Sequence, residues 1–214
     1  MGQILKMKTR TLILQGHSEV NEELYQLTLH NHASYAGHHK YDMLQLNISY
    51  KEAMDDWEKT IRKFLVHYDM IFQVGSDVLF TNMGISLDEL TGRVMKGVHI
   101  SQETFGDSQI NADTIIWRAG DACNRVMDRI NGLREQVGSH PWGIQQAFNI
   151  LFNANDPDID FMPHGKMQSA PIRDLPSAWK PGDFSIHFQV ESNEKKYIRC
   201  KHFLDTGQVL WRSL

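Results

Sequence analysis

Between residues 11 and 74 the chain alternates short apolar runs with longer stretches of helical periodicity, and this alternation narrows its possible folds more than any single motif does. Thr11–Gln15 (TLILQ) is an apolar run ending at Gly16 and reads as a buried strand. Ser18 is a candidate N-cap for a helix whose inward face carries Val20, Leu24 and Leu27. Tyr41–Ile48 alternates apolar and polar residues after Met43, as a second strand would. Lys51–Tyr68 places Met54, Trp57, Ile61, Phe64 and Leu65 at helical spacing, with Asp55 and Asp56 early and Arg62, Lys63 and His67 late, an order that suits the helix dipole. Asp69–Val74 (DMIFQV) is mostly apolar and reads as a central strand. Strand, helix, strand, helix, strand is the signature of an α/β layer with parallel strands.

The second part of the chain is more mixed. Val98–Ile100, Thr114–Trp117 and Phe184–Val190 read as strands, and Asp121–Val137, Trp142–Phe152 and Ser192–Leu204 as helices, the last with Tyr197, Cys200 and Phe203 inward. Asn153–Gly182 holds five of the six prolines and reads as an irregular segment wrapping the sheet. The 214 residues suit one domain. A net charge of −4 without a basic cluster argues against a nucleic-acid partner. No run of roughly 18 apolar residues exists to span a membrane. Cys123 and Cys200 form no CxxC pair and read as buried free thiols, which points to a reducing, cytoplasmic setting.

In open α/β sheets ligands bind beyond the carboxyl ends of the strands. The apolar strand DMIFQV runs to that end and into Gly75-Ser76-Asp77. A carboxylate held there can bind a hard divalent ion such as Mn²⁺ or Mg²⁺, although Gly, Ser and Asp are also ordinary turn residues. On the strand near the C-terminus, Asp183, Ser185 and His187 alternate and share one face. His187 is a candidate ligand by its imidazole, and a structural histidine by the commoner reading. His30, His32, His38 and His39 lack the spacing of a zinc motif, and read as surface or nucleotide-facing.

Six groups of residues, taken in order, resemble the retaining galactosyl- and xylosyltransferases of the GT-A fold. They are Tyr35-Ala36 with His39-Lys40-Tyr41; Trp57-Glu58-Lys59; Ser76-Asp77 to Thr81-Asn82; Asn111-Ala112-Asp113; Gln145-Gln146; and Gly182-Asp183-Phe184 with His187-Phe188. Taken whole, the chain also resembles the N-terminal domain of a chlorovirus-encoded, multi-domain glycosyltransferase. The resemblance implies an α/β, single GT-A domain over residues 1–214, with a Rossmann-like mixed sheet flanked by helices. It implies a UDP-sugar donor, a glycan acceptor, and Mn²⁺ with Mg²⁺ as the alternative. The abrupt end at Trp211-Arg212-Ser213-Leu214 fits excision from a longer polypeptide with further domains, and a viral origin would place the chain in host cytoplasm.

Carried over by position, Asp77 matches the last carboxylate of the DxD motif and His187 the histidine that completes the metal site. Gln15, Gly16 and His17 match the loop against which the nucleotide lies, with Tyr41 against the base, Lys59 near the donor, and Ser76 and Val78 flanking Asp77. Asp113, Gln145 and Gln146 fall at catalytic positions. Three departures stand out. Gly75 replaces the first DxD carboxylate, so a ligand is missing and metal affinity without nucleotide is expected to be weak. Asp113 replaces a glycine, where it could stabilise an oxocarbenium-like transition state. Gln145 is an amide where relatives carry a carboxylate, which weakens any covalent role there and leaves retention to same-face attack by the acceptor. A hexose or deoxyhexose (glucose, galactose or rhamnose type) is the expected cargo. A non-catalytic nucleotide-sugar or glycan-binding module is the alternative, and a nucleotidyltransferase ranks third because Gln15-Gly16-His17-Ser18 is a poor triphosphate loop.

Overall fold

The apolar run at residue 11 forms β1 (Thr11–His17), followed by α1 (Glu22–His39), β2 (Asp42–Asn47), α2 (Trp57–Leu65) and β3 (Met70–Val74). Then come β4 (Val78–Phe80), α3 (Leu87–Thr91), β5 (Val98–Gln102), β6 (Ile110–Arg118), α4 (Asp121–Gly132), α5 (Arg134–Val137), α6 (Gly143–Asn153), β7 (Ile159–Met162), β8 (Ser185–His187) and α7 (Asn193–Thr206). The computed structural model describes residues 9–17, 22–47, 57–92, 94–103, 108–138, 140, 143–189 and 191–211. Ser18, Val20, Met54–Asp56, Trp142 and Val190, singled out above, lie outside the described residues, as does the side chain of His17.

The main sheet has six strands in the order β2-β1-β3-β6-β5-β7. β2, β1 and β3 are parallel, β6 runs antiparallel to both β3 and β5, and β7 lies parallel to β5 at the far edge. The sheet is therefore mixed, with the parallel half on the strand-helix alternation read from the sequence. Period-two alternation splits the core into two layers. Leu12, Leu14, Ile71, Ile115 and Trp117 face α2, α4 and α6, where Ile61, Val126 and Phe148 meet them. Ile13, Phe72 and Ile116 face the other way, onto Tyr35 of α1, Phe80 and Phe184. Full burial of a large apolar side chain on either face contributes about 2–3 kcal/mol. Gly97 lets α4 approach the start of β5, since a Cβ there would lie 2.2 Å from the Cys123 amide nitrogen.

β4 and β8 pair antiparallel in a second, two-stranded sheet, with Val78 opposite His187. Leu79, Ile186 and Phe188 from this pair join Leu24 of α1 and Cys200 of α7 in a third cluster. α7 starts at Ser192, whose side chain accepts from the Lys195 amide, and stops at Gly207 in the left-handed conformation. Both cysteines are buried and free. No described helix is long and apolar enough to cross a membrane.

Several elements differ from the sequence reading. The helix read over Asp121–Val137 divides at Leu133 into α4 and α5. The strand read over Phe184–Val190 narrows to three residues. The segment taken as an irregular wrap contains β7. The histidines of α1 are structural: the His32 ring nitrogen Nε2 lies 2.8 Å from the Val78 carbonyl, and His39 Nε2 lies 2.8 Å from that of Met83. They tie α1 to the segment around β4. Burial holds His32 down at about 4, so it stays neutral.

Candidate metal and donor site

β3 ends in the middle of the main sheet, and the chain turns through Gly75-Ser76-Asp77 into β4. The turn is pinned at three places. The Gly75 amide donates to the Asp113 carbonyl at 2.7 Å. The Ser76 carbonyl accepts from the Thr28 hydroxyl at 2.9 Å. The Asp77 carbonyl accepts from the Phe188 amide at 3.0 Å. The last bond brings β8 alongside, and His187 with it.

Asp77, Asp113 and His187 converge, each offering one ligand atom within 4.8 Å of the others. His187 Nε2 lies 3.3 Å from Asp77 Oδ1 and 3.4 Å from Asp113 Oδ2. His187 is buried, Asp77 nearly so, and the Asp113 side chain is 49% exposed, so the cluster opens to solvent on the Asp113 side. Asn111 supports it. Its Oδ1 accepts from the Asp113 amide at 2.9 Å, and its Nδ2 lies 3.4 Å from His187 Nδ1. Nδ2 also donates to Gln189 Oε1 at 3.0 Å and to Glu103 Oε2 at 3.2 Å.

Asp113 lies against Gly75, where the resemblance leads one to expect a first carboxylate. A Cβ at Gly75 would lie 3.2 Å from both the Asp113 Cβ and Asp77 Oδ1. A side chain at residue 75 would therefore press on the Asp113 side chain, which reaches the cluster from β6. The sequence reading, taken along one segment, treats Gly75 as a ligand lost; the fold returns a carboxylate from 38 residues further on.

Lys196, on the first turn of α7, completes the cluster with Nζ 2.6 Å from Asp77 Oδ2 and its side chain 17% exposed. Sequence reasoning missed it, because a lysine early in a charged helix reads as solvated. The electrostatics follow from the packing. Burial works against the charge on Asp77, but His187 and Lys196 outweigh it and hold the carboxyl well below the usual range. Burial likewise opposes the charge on His187, and Asp77 and Asp113 overcome it to push the imidazole up to about 9. Asp113 is raised by desolvation of the part of its carboxyl that faces the cluster; His187 counters this, and the neighbouring Asp77 adds to it. Two carboxylates and an imidazole form a donor set suited to Mn²⁺ or Mg²⁺.

Other residues expected at the site are placed differently. Gln15 is fully buried within β1 and donates to the Thr28 hydroxyl at 3.2 Å, so its side chain faces the core under α1. Tyr41 precedes β2, level with Thr11 and Met70 at the opposite end of the parallel strands. Its hydroxyl accepts from the Leu87 amide and its ring stacks on His39, so it is a packing residue remote from Asp77. Gly16 and His17 end β1 on the site's side of the sheet, in register with Leu46 and Asn47. Lys59 is exposed in the first turn of α2. The Val78 side chain is buried, and its carbonyl is engaged by His32. Gln145 is fixed beside the site: Oε1 accepts from the Ala112 amide at 3.1 Å and Nε2 donates to Ser108 Oγ at 3.1 Å. It holds the stretch of β6 that carries Asp113. Gln146 accepts from Asn149 one turn on. Asp183 and Ser185 do not reach the cluster; they anchor the turn before Ala170 by bonds to Ser169 Oγ and the Met167 carbonyl. His187 also lines a small polar pocket of about 10 Å³, room for a single water-sized molecule, with Gln102, Glu103, Gln168, Ser169, Ser177 and Gln189 among others.

Neither a protein-family model nor a curated protein matches the sequence. Solved structures do match the fold. A glycosyltransferase involved in glycosylation of the major capsid of PBCV-1 superimposes with a TM-score of 0.67 at 14% identity, covering 90% of this chain and 99% of that one. The apo form of the glycosyltransferase GlyE of Streptococcus pneumoniae TIGR4 superimposes with a TM-score of 0.59 at 12% identity, covering 96% of this chain and 66% of that one. The mixed six-stranded sheet, the helices on both faces and these superpositions agree: the chain has the GT-A glycosyltransferase fold and resembles the chlorovirus capsid glycosyltransferase along nearly its whole length.

Proposed function

We propose that the chain is a metal-dependent glycosyltransferase that moves a hexose or deoxyhexose from a UDP-sugar to a glycan hydroxyl, with retention of configuration. The observation that carries this reading is the convergence of Asp77, Asp113 and His187 at the carboxyl end of β3 in a GT-A fold. Asp77, Asp113 and His187 would hold Mn²⁺, or Mg²⁺, through two oxygens and one nitrogen. Such an ion would supply positive charge that stabilises the departing diphosphate.

The chain's own residues do the rest. Asn111 and Gln145 fix β6 so that Asp113 stays at the cluster. Gly16, His17 and Ser76 border the nucleotide side, with Lys59 of α2 as the donor-side cation that the resemblance implies. The bond from the anomeric carbon to the phosphate oxygen breaks as the acceptor oxygen bonds to that carbon, and the acceptor's hydroxyl proton passes to the departing phosphate oxygen on the same face. Gln145, an amide already engaged at both ends, supplies no nucleophile, so same-face attack by the acceptor fits this site better than a covalent intermediate on α6.

The alternative of a non-catalytic binding module draws its support from the missing carboxylates at Gly75 and Gln145; Asp113 offsets the first, and Gln145 remains an amide. The two readings separate in a donor screen with Mn²⁺, in which a panel of UDP-sugars is followed for release of free sugar. Slow hydrolysis of one donor is expected, and it should stop with EDTA. Binding of UDP-sugars with no hydrolysis of any of them would favour the binding module.

A further inference from the structure

The cluster carries one cation more than a metal site needs. Lys196 Nζ sits on Asp77 Oδ2 at 2.6 Å, while His187 Nε2 faces the other oxygen, Oδ1, at 3.3 Å. Both oxygens of the principal candidate ligand are thus engaged by positive groups of the protein itself. The lysine is not a passing surface contact. It is mostly buried, and it rises from the first turn of a 14-residue helix capped by Ser192 and packed on α1. The same turn begins just after β8, whose His187 is the third member of the cluster.

We infer that Lys196 is a resident counter-ion that competes with the divalent ion for Asp77 and so makes metal retention depend on the donor. The inference rests on the metal-site reading above. In the donor-free protein, two carboxylates face one lysine and one histidine, and a divalent ion entering the triad meets the ammonium on the carboxylate it must share. A nucleoside diphosphate changes the balance. It brings additional negative charge, and the flexible four-carbon stem lets the ammonium turn from Asp77 to a phosphate oxygen. The amino-terminal turn of α7, where Lys196 stands, also favours an anion. Lys196 then acts as a positioning residue with two stations: on Asp77 when the donor is absent, and on the diphosphate when it is present. Metal and nucleotide would bind cooperatively through one side chain.

The test is Mn²⁺ affinity, read by electron paramagnetic resonance of free Mn²⁺ with and without UDP, in the wild type and in Lys196→Gln and Lys196→Arg. Far-UV circular dichroism establishes that each variant is folded. The wild type should bind Mn²⁺ weakly alone and much more tightly with UDP. Lys196→Gln should bind Mn²⁺ alone about tenfold more tightly, because the competing charge is gone. The same variant should show a smaller gain from UDP. Lys196→Arg keeps the charge and should stay close to wild type in both. Equal or weaker donor-free affinity in Lys196→Gln, with a normal UDP-dependent gain in the wild type, overturns the inference and leaves the metal site standing. Absence of Mn²⁺ binding by wild type and Lys196→Gln, with UDP as well as without, overturns both.

Discussion

Two groups of acidic side chains flank the main sheet, and the chain treats them in opposite ways. At the start of β7, Asp156 and Asp158 are matched by arginines of α4. Arg129 Nε lies 2.6 Å from Asp156 Oδ2, and Arg129 Nη2 lies 2.7 Å from Asp158 Oδ2, while Arg125 Nη2 takes Asp158 Oδ1 at 2.6 Å. Planar guanidinium groups satisfy these carboxylates from fixed directions, and Asp158 is held well below the usual range by Arg125 and Arg129. That cluster is a clasp between helix and strand. At the end of β3, Asp77 and Asp113 instead face each other across one imidazole, and a single lysine pairs with Asp77. Partial desolvation pushes Asp113 up while its neighbours hold Asp77 down. Like charges brought together around a histidine, with one side open, make a poor clasp and a good cation site.

The largest effect expected from breaking this contrast is at Asp77. Asp77→Ala should abolish Mn²⁺-dependent UDP binding in a calorimetric titration, since it removes the ligand that both cations address. Retained Mn²⁺-dependent binding would take Asp77 out of the site. Next comes Asp113→Gly, expected to weaken Mn²⁺-dependent UDP binding roughly 100-fold. Gly75→Asp alone should also be impaired, because the new Cβ crowds the Asp113 Cβ at 3.2 Å. The double variant, with Asp at 75 and Gly at 113, should recover much of the binding. If the double variant is no better than the worse single variant, the two positions are not interchangeable sources of one carboxylate.

A smaller effect is carried by pH. His187 is raised to about 9 by Asp77 and Asp113, so the metal-free protein gains stability from it that is present below its ordinary value near 6.5 and lost as pH climbs through 9. Melting temperature without metal should fall over that window, and a His187→Asn variant should lose this part of the slope. A metal needs the neutral imidazole, so Mn²⁺ affinity should rise with pH over the same window by about tenfold per unit, with release of a proton. The smallest effect on function belongs to the clasp. Arg129→Ala should cost about 2 kcal/mol in denaturant unfolding and leave Mn²⁺-dependent UDP binding unchanged.

The contrast also marks what was legible in the sequence. Strand-helix alternation gave β1 to β3 and the helices between them, because apolar periodicity survives in long, buried elements. β4 and β7 were missed: the first has three residues and pairs with a strand about a hundred residues away, and the second is a four-residue edge strand within proline-rich chain. Asp77 and His187 were readable as an ordered pair of motifs. Asp113 was read as an isolated departure, since its closeness to Gly75 exists only where β6 lies against β3. Tyr41 and Gln15 were placed at the donor by position along the chain, whereas register puts the first at the wrong end of β2 and pleat turns the second inward. The clasp arginines could have been suspected from Asp156 and Asp158 alone, but nothing in a linear reading distinguishes acids that meet arginines from acids that meet each other.

The central claim is that Asp77, Asp113 and His187 together hold a divalent ion with a nucleoside diphosphate. Calorimetric titration of UDP into the protein, in Mn²⁺ and then in EDTA, tests it most directly. Saturable binding in Mn²⁺ that disappears in EDTA is predicted, whereas equal UDP affinity in both, or no binding in either, would contradict it.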